Sequence, residues 1–134
     1  MKKISIVIIF IVCYAGTCRK NPFVERFYSI KVKNNWTDTI KFSIGSLYPD
    51  ISIPSVMPRL KLVYTNDYSY YDSRKTFQEV FKELPADTLS IYFFSVDTLA
   101  KYNWQEIRDG YKILKRLDLS LPDLKNLNYT VTYP

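Results

Sequence analysis

TLSIYFFS, residues 88 to 95, is the most apolar strand-like stretch of the chain after residue 18. Apolar side chains occupy both faces of this stretch when its backbone is extended. That pattern is typical of a strand with another layer packed on each side, whereas a strand at a solvated surface alternates apolar and polar residues. We therefore predict that residues 88–95 form a central strand and that the rest of the fold is built around it.

Amphipathic stretches on either side of this segment predict further strands. Residues 25–33 (ERFYSIKVK) and 38–44 (DTIKFSI) each place apolar side chains on one face, and the turn signal Asn34-Asn35 separates them. These features predict a β-hairpin. Three more segments have a strand pattern, at residues 60–64, 111–119 and 129–133. Residues 45–58 contain three prolines and are predicted to form a loop.

Helix signals occur at three places. Residues 73–84 repeat apolar side chains at helical spacing, with Asp72 or Ser73 as the N-cap and Pro85 as the stop. Asn103 with Glu106, and Ser120 with Asp123, have N-cap spacing. Trp104, beside one of these caps, is expected to pack in the core. The whole pattern predicts an α+β fold, mainly an antiparallel sheet with two or three short helices, and the strands could form a β-sandwich.

The first eighteen residues have the order of a bacterial export signal. Lys2 and Lys3 precede an apolar run at residues 4–14, and the small residues 15–17 precede Cys18. The run is shorter than the roughly 20 residues that cross a bilayer, so we predict a lipoprotein-type signal peptide at 1–17. Cys18 is then either the lipid-bearing anchor, which we favour, or a chance residue after the cleavage site. A tether at 18–24 and one globular domain at 25–134 complete the predicted organisation.

Composition excludes several classes of chemistry. The chain has no histidine and only three glycines, which excludes histidine-dependent catalysis, histidine-containing zinc sites and a glycine-rich phosphate loop. Cys13 lies inside the apolar run, so no disulfide is expected in the domain. The formal charge of +6 comes from scattered basic residues, a pattern that indicates a solvated surface rather than a nucleic-acid interface. We expect no cofactor, no metal, no nucleic-acid partner and no enzymatic activity.

Two groups of side chains remain as candidates for function. Asp67 and Asp72 could bind calcium, but they lack the Asp-x-Asp-x-Asp-Gly order of a calcium loop. Glu106 and Asp109 could cleave a glycosidic bond, but helix capping and solvation explain these two better. Four tyrosines in and beside the polar segment 65–72, which we interpret as a loop, are the better candidates for a binding surface, because tyrosine combines rigid apolar area with a hydroxyl. The alternative is that they pack onto the core beneath the loop; the four are Tyr64, Tyr68, Tyr70 and Tyr71.

Residues 88–134 resemble the C-terminal part of small uncharacterised lipoproteins of Bacteroides-type bacteria. The matching residues are Asp97-Thr98, Trp104, Glu106-Ile107, Ile113 to Arg116, Asp118 to Ser120, Asp123-Leu124 and Tyr133-Pro134. The resemblance implies no activity, but it supports Cys18 as an anchor.

Surface-exposed lipoproteins of such bacteria are expected to have acidic residues soon after the anchor cysteine. Here Arg19-Lys20-Asn21 follow Cys18, which favours a periplasm-facing position in the cell envelope. We therefore predict a lipid-anchored, non-catalytic envelope protein that serves in interaction or assembly, with an envelope protein or a glycan as partner. The alternative is an accessory domain that binds carbohydrate or peptide through the tyrosine-rich segment.

Overall fold

A computed structural model describes residues 27–134. The predicted signal peptide (1–17), the predicted anchor Cys18 and the predicted tether (18–24) lie outside the described residues. The strands that the structure shows are β1 (Tyr28–Asn34), β2 (Ile40–Gly45), β3 (Lys61–Val63), β4 (Tyr68–Ser73), β5 (Thr88–Ser95), β6 (Lys115–Ser120) and β7 (Thr130–Tyr133). The helices are α1 (Phe77–Lys82), α2 (Val96–Lys101), α3 (Trp104–Asp109) and α4 (Leu121–Asn126).

The strands form two sheets, and the predicted α+β class is confirmed. One sheet has three strands in the order β4-β1-β7, with β1 antiparallel to β4 and parallel to β7. The other has four antiparallel strands in the order β3-β2-β5-β6. The stretch TLSIYFFS is β5, which pairs with a strand on each side and is buried along its whole middle. Its predicted central position is therefore correct.

The larger core lies between the two sheets, which makes the fold a β-sandwich. Both sheets contribute alternate side chains to this core, and α1 and α4 add apolar side chains from one end. Its buried members include Ile30, Val32 and Val131 from the three-stranded sheet, Ile40, Phe42, Ile91 and Phe93 from the four-stranded sheet, and Phe77, Phe81 and Leu124 from the helices.

A smaller core covers the other face of β5. Tyr92 and Phe94 pack there against Ile53, from the proline-rich loop, and against Ile107 of α3. Trp104 is a packing residue of this core, as the sequence predicts, because its ring lies 5.7 Å from that of Phe94 and its Nε1 donates to the Pro54 carbonyl at 3.0 Å. Two apolar layers on β5 explain why its sequence lacks a polar face.

The predicted hairpin is wrong, because β1 and β2 belong to different sheets. Their apolar faces were predicted correctly, but those faces oppose each other across the larger core instead of lying side by side. Asn34 stabilises the crossing between the sheets. Its side chain is fully buried, and its Nδ2 donates to the carbonyls of Asp38 at 2.8 Å and Val63 at 3.3 Å, while its Oδ1 accepts from the Trp36 amide.

Two further predictions need correction. The segment 65–72, interpreted as a loop, contains the edge strand β4, which pairs with β1 along its whole length. The first helix begins after Thr76, not at Asp72 or Ser73, because Thr76 forms the capping box with Glu79. The caps at Asn103 and Ser120 are confirmed. The fourth helix, α2, follows an N-cap at Ser95 directly after β5.

Candidate functional site

The outer face of β4 presents two tyrosines side by side. Side chains alternate along the strand, so Tyr68 and Tyr70 point away from the core and are 49% and 42% exposed. Their ring centroids are 5.4 Å apart and the rings are inclined at 70°. The two rings therefore form a corner on the surface, with apolar ring area and a hydroxyl on each side.

Lysines of β1 lie beside this pair of rings. The strand register places Lys31 opposite Tyr70 and Lys33 opposite Tyr68, so all four side chains share one face of the three-stranded sheet. The Nζ of Lys31 lies 4.1 Å from the centre of the Tyr68 ring, within the range of a cation–π contact. Thr130 and Thr132 of β7 continue the same face, because they pair with Lys31 and Lys33. We call these six residues the tyrosine–lysine face: Lys31, Lys33, Tyr68, Tyr70, Thr130 and Thr132.

The other two candidate tyrosines do not belong to this face. Tyr71 points to the opposite side of β4, where it packs against the larger core. Tyr64 is 60% exposed and lies in the turn between β3 and β4, where its carbonyl accepts from the Asp67 amide at 3.1 Å. The predicted set of four tyrosines is therefore divided into an exposed pair, a core residue and a turn residue. Of the four tyrosines, only Tyr71 packs onto the core, which was the alternative to a binding surface.

The outer edge of β4 is covered by a charged side chain. Lys61 of β3 donates from its Nζ to the Tyr70 carbonyl and lies 3.8 Å from Asp72 Oδ2. Asp72 also accepts from the Ser29 hydroxyl at 2.6 Å. The one acidic side chain that β4 turns outward is thus paired with a lysine of the neighbouring sheet, so the tyrosine–lysine face keeps the positive charge of Lys31 and Lys33.

A cleft of about 450 Å³ lies between the ends of β2 and β4. Its walls include Phe42 and Tyr71, and its charged residues are Arg59, Lys61 and Asp72. The Ser43 hydroxyl is buried beside it and has no hydrogen-bond partner among the described residues. Because Lys61 and Asp72 pair with each other, Arg59 is the charge that remains available to a small molecule in this cleft.

Arg116 forms the most buried ionic network of the described chain. Its guanidinium donates to Asp118 Oδ1 at 2.7 Å and to the Ser90 hydroxyl at 3.1 Å, and it lies over the Tyr92 ring. Burial acts to lower the pKa of Arg116, but the hydrogen bond to Asp118 and the favourable influence of the Tyr111 side chain outweigh this effect and raise it. Burial also raises the pKa of the Tyr92 hydroxyl. The network joins β5 to β6 and has a structural role.

The carboxylates considered from the sequence have local partners. Asp67 precedes β4 and Asp72 lies near its end, so the strand rise separates them by about 17 Å, too far to share one ion. Glu106 accepts from the Asn103 amide in a capping box, and Asp109 accepts from Gln105. Within residues 27–134, no group of three or more acidic or cysteine side chains is placed to hold a metal ion.

Neither a family model, nor a curated protein, nor a solved structure matches the chain. In the part of the chain that the structure describes, every helix is too short or too polar to cross a membrane.

Lys31 and Lys33 were not predicted as site residues, because in the sequence they resemble the other scattered, solvated basic residues. Their spacing of two, in a strand, is a signal that both point to one face. What the sequence could not show was the pairing partner that brings tyrosines to the same face.

Proposed function

We propose that this chain is a lipid-anchored, non-catalytic protein of the bacterial cell envelope that serves in interaction or assembly. The observation that carries the proposal is the position of Cys18 directly after Ala15-Gly16-Thr17 and a short apolar run. The resemblance of residues 88–134 to Bacteroides-type lipoproteins supports it. Attachment through the lipid of Cys18 makes the membrane the first partner, and an envelope protein or a glycan is the second.

A non-catalytic role is supported by the chemistry of the described domain. The sequence provides no histidine to act as a base. The carboxylates Glu79, Glu106 and Asp123 take part in the capping boxes, so one oxygen of each already accepts from a backbone amide. A general acid or base needs a free group beside the substrate.

Mass spectrometry of the mature N-terminus tests the anchor. We expect Cys18 to be the first residue and to carry two or three acyl chains, because a single chain gives only marginal membrane attachment. A Cys18→Ser variant should then lose the lipid mass and appear in the soluble fraction. An unmodified Cys18, or a cleavage site elsewhere, would contradict the proposal.

The basic residues Arg19 and Lys20 after the anchor lead us to propose that the protein faces the periplasm. Protease added to intact cells should leave it undigested, and the same protease should digest it once the outer membrane is opened. A known surface lipoprotein serves as the positive control. Rapid digestion on intact cells would place the domain on the outside.

A second candidate function is that of an accessory domain that binds carbohydrate or peptide. The exposed pair Tyr68 and Tyr70 favours it, because amphipathic aromatic side chains are typical of binding surfaces. The test compares the wild-type chain with a Tyr68→Ser, Tyr70→Ser double variant for retention of purified envelope glycans and of envelope peptides. Equal retention by both proteins would contradict a binding role of this face.

A further inference from the structure

We infer that the tyrosine–lysine face binds an acidic saccharide, specifically an oligosaccharide that contains uronic acids. This inference rests on the second proposed function, the accessory binding domain, and names the ligand class of that site. It does not depend on lipid attachment at Cys18. The surface that carries it comprises the corner formed by Tyr68 and Tyr70, the two lysines of β1 beside it and the threonines of β7.

The aromatic corner suits a sugar ring. One face of a pyranose ring is made of C–H groups, and hydroxyls surround its rim. Tyr68 and Tyr70 offer ring area to the C–H face, and the inclination of 70° between them lets one ring hold the sugar while the other contacts its side. The Tyr hydroxyls and the Thr132 hydroxyl provide donors and acceptors for the rim, whereas the Thr130 hydroxyl donates to the Asn128 carbonyl at 3.4 Å and offers its oxygen as an acceptor.

The charge of the face selects an anion. Lys33 is exposed and has no hydrogen-bond or ionic partner among the described residues, and the Lys31 ammonium lies over the ring of Tyr68 without an acidic partner among those residues. Asp72, the acidic residue that β4 turns to this side, is already engaged by Ser29 and Lys61. A uronic acid carries its carboxylate at the rim of the sugar ring, and therefore within reach of ammonium groups that flank the aromatic corner. Such charge-assisted contacts are stronger than those of neutral hydroxyls.

An acidic peptide is a less suitable occupant. Extended peptides commonly bind by adding a strand to a sheet edge, where main-chain hydrogen bonds supply the affinity. On β4 that edge is obstructed, because Lys61 already donates to the Tyr70 carbonyl. Side chains on the flat outer face remain available, and a saccharide uses these without needing a free backbone edge.

Calorimetric titration of the full chain, purified in detergent, with oligogalacturonate tests the inference. The matched probe is the same oligomer with its carboxylates methyl-esterified. We expect the acid form to bind, the ester to bind at least about tenfold more weakly, and affinity for the acid form to fall as ionic strength rises. Tyr70→Ala and Lys33→Gln should each weaken binding about fivefold to tenfold.

Two variants serve as controls outside the face. Tyr111→Ala removes a tyrosine with the same exposed fraction as Tyr70, and Lys41→Gln removes a lysine of the four-stranded sheet. Both should bind the oligomer as the wild type does, and thermal melting of every variant shows which of them are folded. Equal loss of binding in the control variants and in the face variants would overturn the assignment of the site.

Other outcomes separate this inference from the proposed function. Equal binding of acid and ester would overturn the anionic class but leave an accessory binding domain in place. Tighter binding of oligoglutamate would identify a peptide ligand, and tighter binding of a single-stranded oligonucleotide would identify a nucleic acid; either result overturns the saccharide. If no saccharide and no peptide bound, the accessory function itself would fail, while the lipid at Cys18 would be unaffected.

Discussion

Asn34 stabilises the connection through which the chain passes from the three-stranded sheet to the four-stranded sheet. It is fully buried, yet every hydrogen-bonding group of its side chain has a partner in the backbone. These partners come from the β1–β2 connection and from the end of β3, and the Asn34 amide donates to the Asp67 carbonyl beside β4. The side chain of Asn34 therefore joins the β1–β2 connection to the end of β3, which no apolar residue of the same size could do, and its backbone amide adds the bond to Asp67.

Replacement of Asn34 by Ala should destabilise the domain by about 3 kcal/mol, because buried carbonyls and the Trp36 amide would lose their partner. Denaturant unfolding of the variant measures this loss of free energy. The neighbouring Asn35→Ala is the matched control, since Asn35 is exposed, and should change stability by less than about 0.5 kcal/mol. Equal effects of the two substitutions would show that the buried side-chain amide of Asn34 does not stabilise the connection between the sheets.

The short helices depend on their caps more than on their length. Three of them, α1, α3 and α4, begin with a complete capping box in which an acidic side chain at the third helical position bonds back to the N-cap. Hydrogen bonds from the Thr76 hydroxyl and amide hold the pKa of Glu79 below its ordinary 4.5. Those from Ser120 likewise hold the pKa of Asp123 below its ordinary 3.8.

These lowered pKa values predict a loss of stability in acid. A carboxyl group whose pKa is lower in the folded state stabilises the fold above its unfolded pKa, and this contribution disappears as the pH falls through the folded pKa. The melting temperature should therefore decline below about pH 4.5. A Glu79→Gln, Asp123→Asn double variant should decline less between about pH 6 and about pH 3.

Asp38→Asn is the control for the acid experiment, because the Asp38 side chain holds no hydrogen bond among the described residues. Its melting temperature should follow the wild-type pH dependence. If the double variant declined as steeply as the wild type, the capping carboxylates could not be the source of the acid sensitivity.

Most elements could be predicted from the sequence, but the partners of the strands could not. Alternation shows which face of a strand is buried, as for β1 and β2, without showing whether the covering layer is a neighbouring strand or an opposing sheet. β4 was missed because its outward residues are aromatic and its inward residues include Ser69 and Ser73, which reverses the usual pattern. Caps are local, so those of α3 and α4 were found at the correct residue.

The candidate site was predicted only in part, because it too depends on strand pairing that the sequence does not show. Tyr68 and Tyr70 were recognised by residue type. Because their segment was interpreted as a loop, the alternation of side chains along a strand could not be used to predict that the two point to the same face. The contribution of Lys31 and Lys33 depends on the register between β1 and β4, which joins residues about 40 positions apart in the chain.

At the scale of the whole molecule, the last strand completes the core. Val131 and Tyr133 of β7 are buried, and the Tyr133 ring stacks on Phe93 at 5.0 Å. Burial of two such side chains is worth about 3–6 kcal/mol, which approaches the total stability of many domains, about 5–15 kcal/mol. We therefore expect the four-residue strand β7 to be essential for the stability of the sandwich.

A chain that ends at Tyr129 should fail to fold. We expect it to lose the cooperative thermal transition and the near-ultraviolet circular dichroism that packed aromatic rings produce. Removal of Pro134 alone is the control, since this residue is exposed and should leave the melting temperature unchanged. A cooperative transition in the shorter chain would show that β7 is dispensable.

The parallel pairing of β1 with β7 joins the first and the last strand of the described chain. Five strands and four helices lie between β1 and β7 along the described chain. Contacts between segments so distant in sequence cost chain entropy before they contribute stability. The three-stranded sheet therefore cannot be completed by any local part of the domain, and its closure brings together strands from opposite sides of the element order.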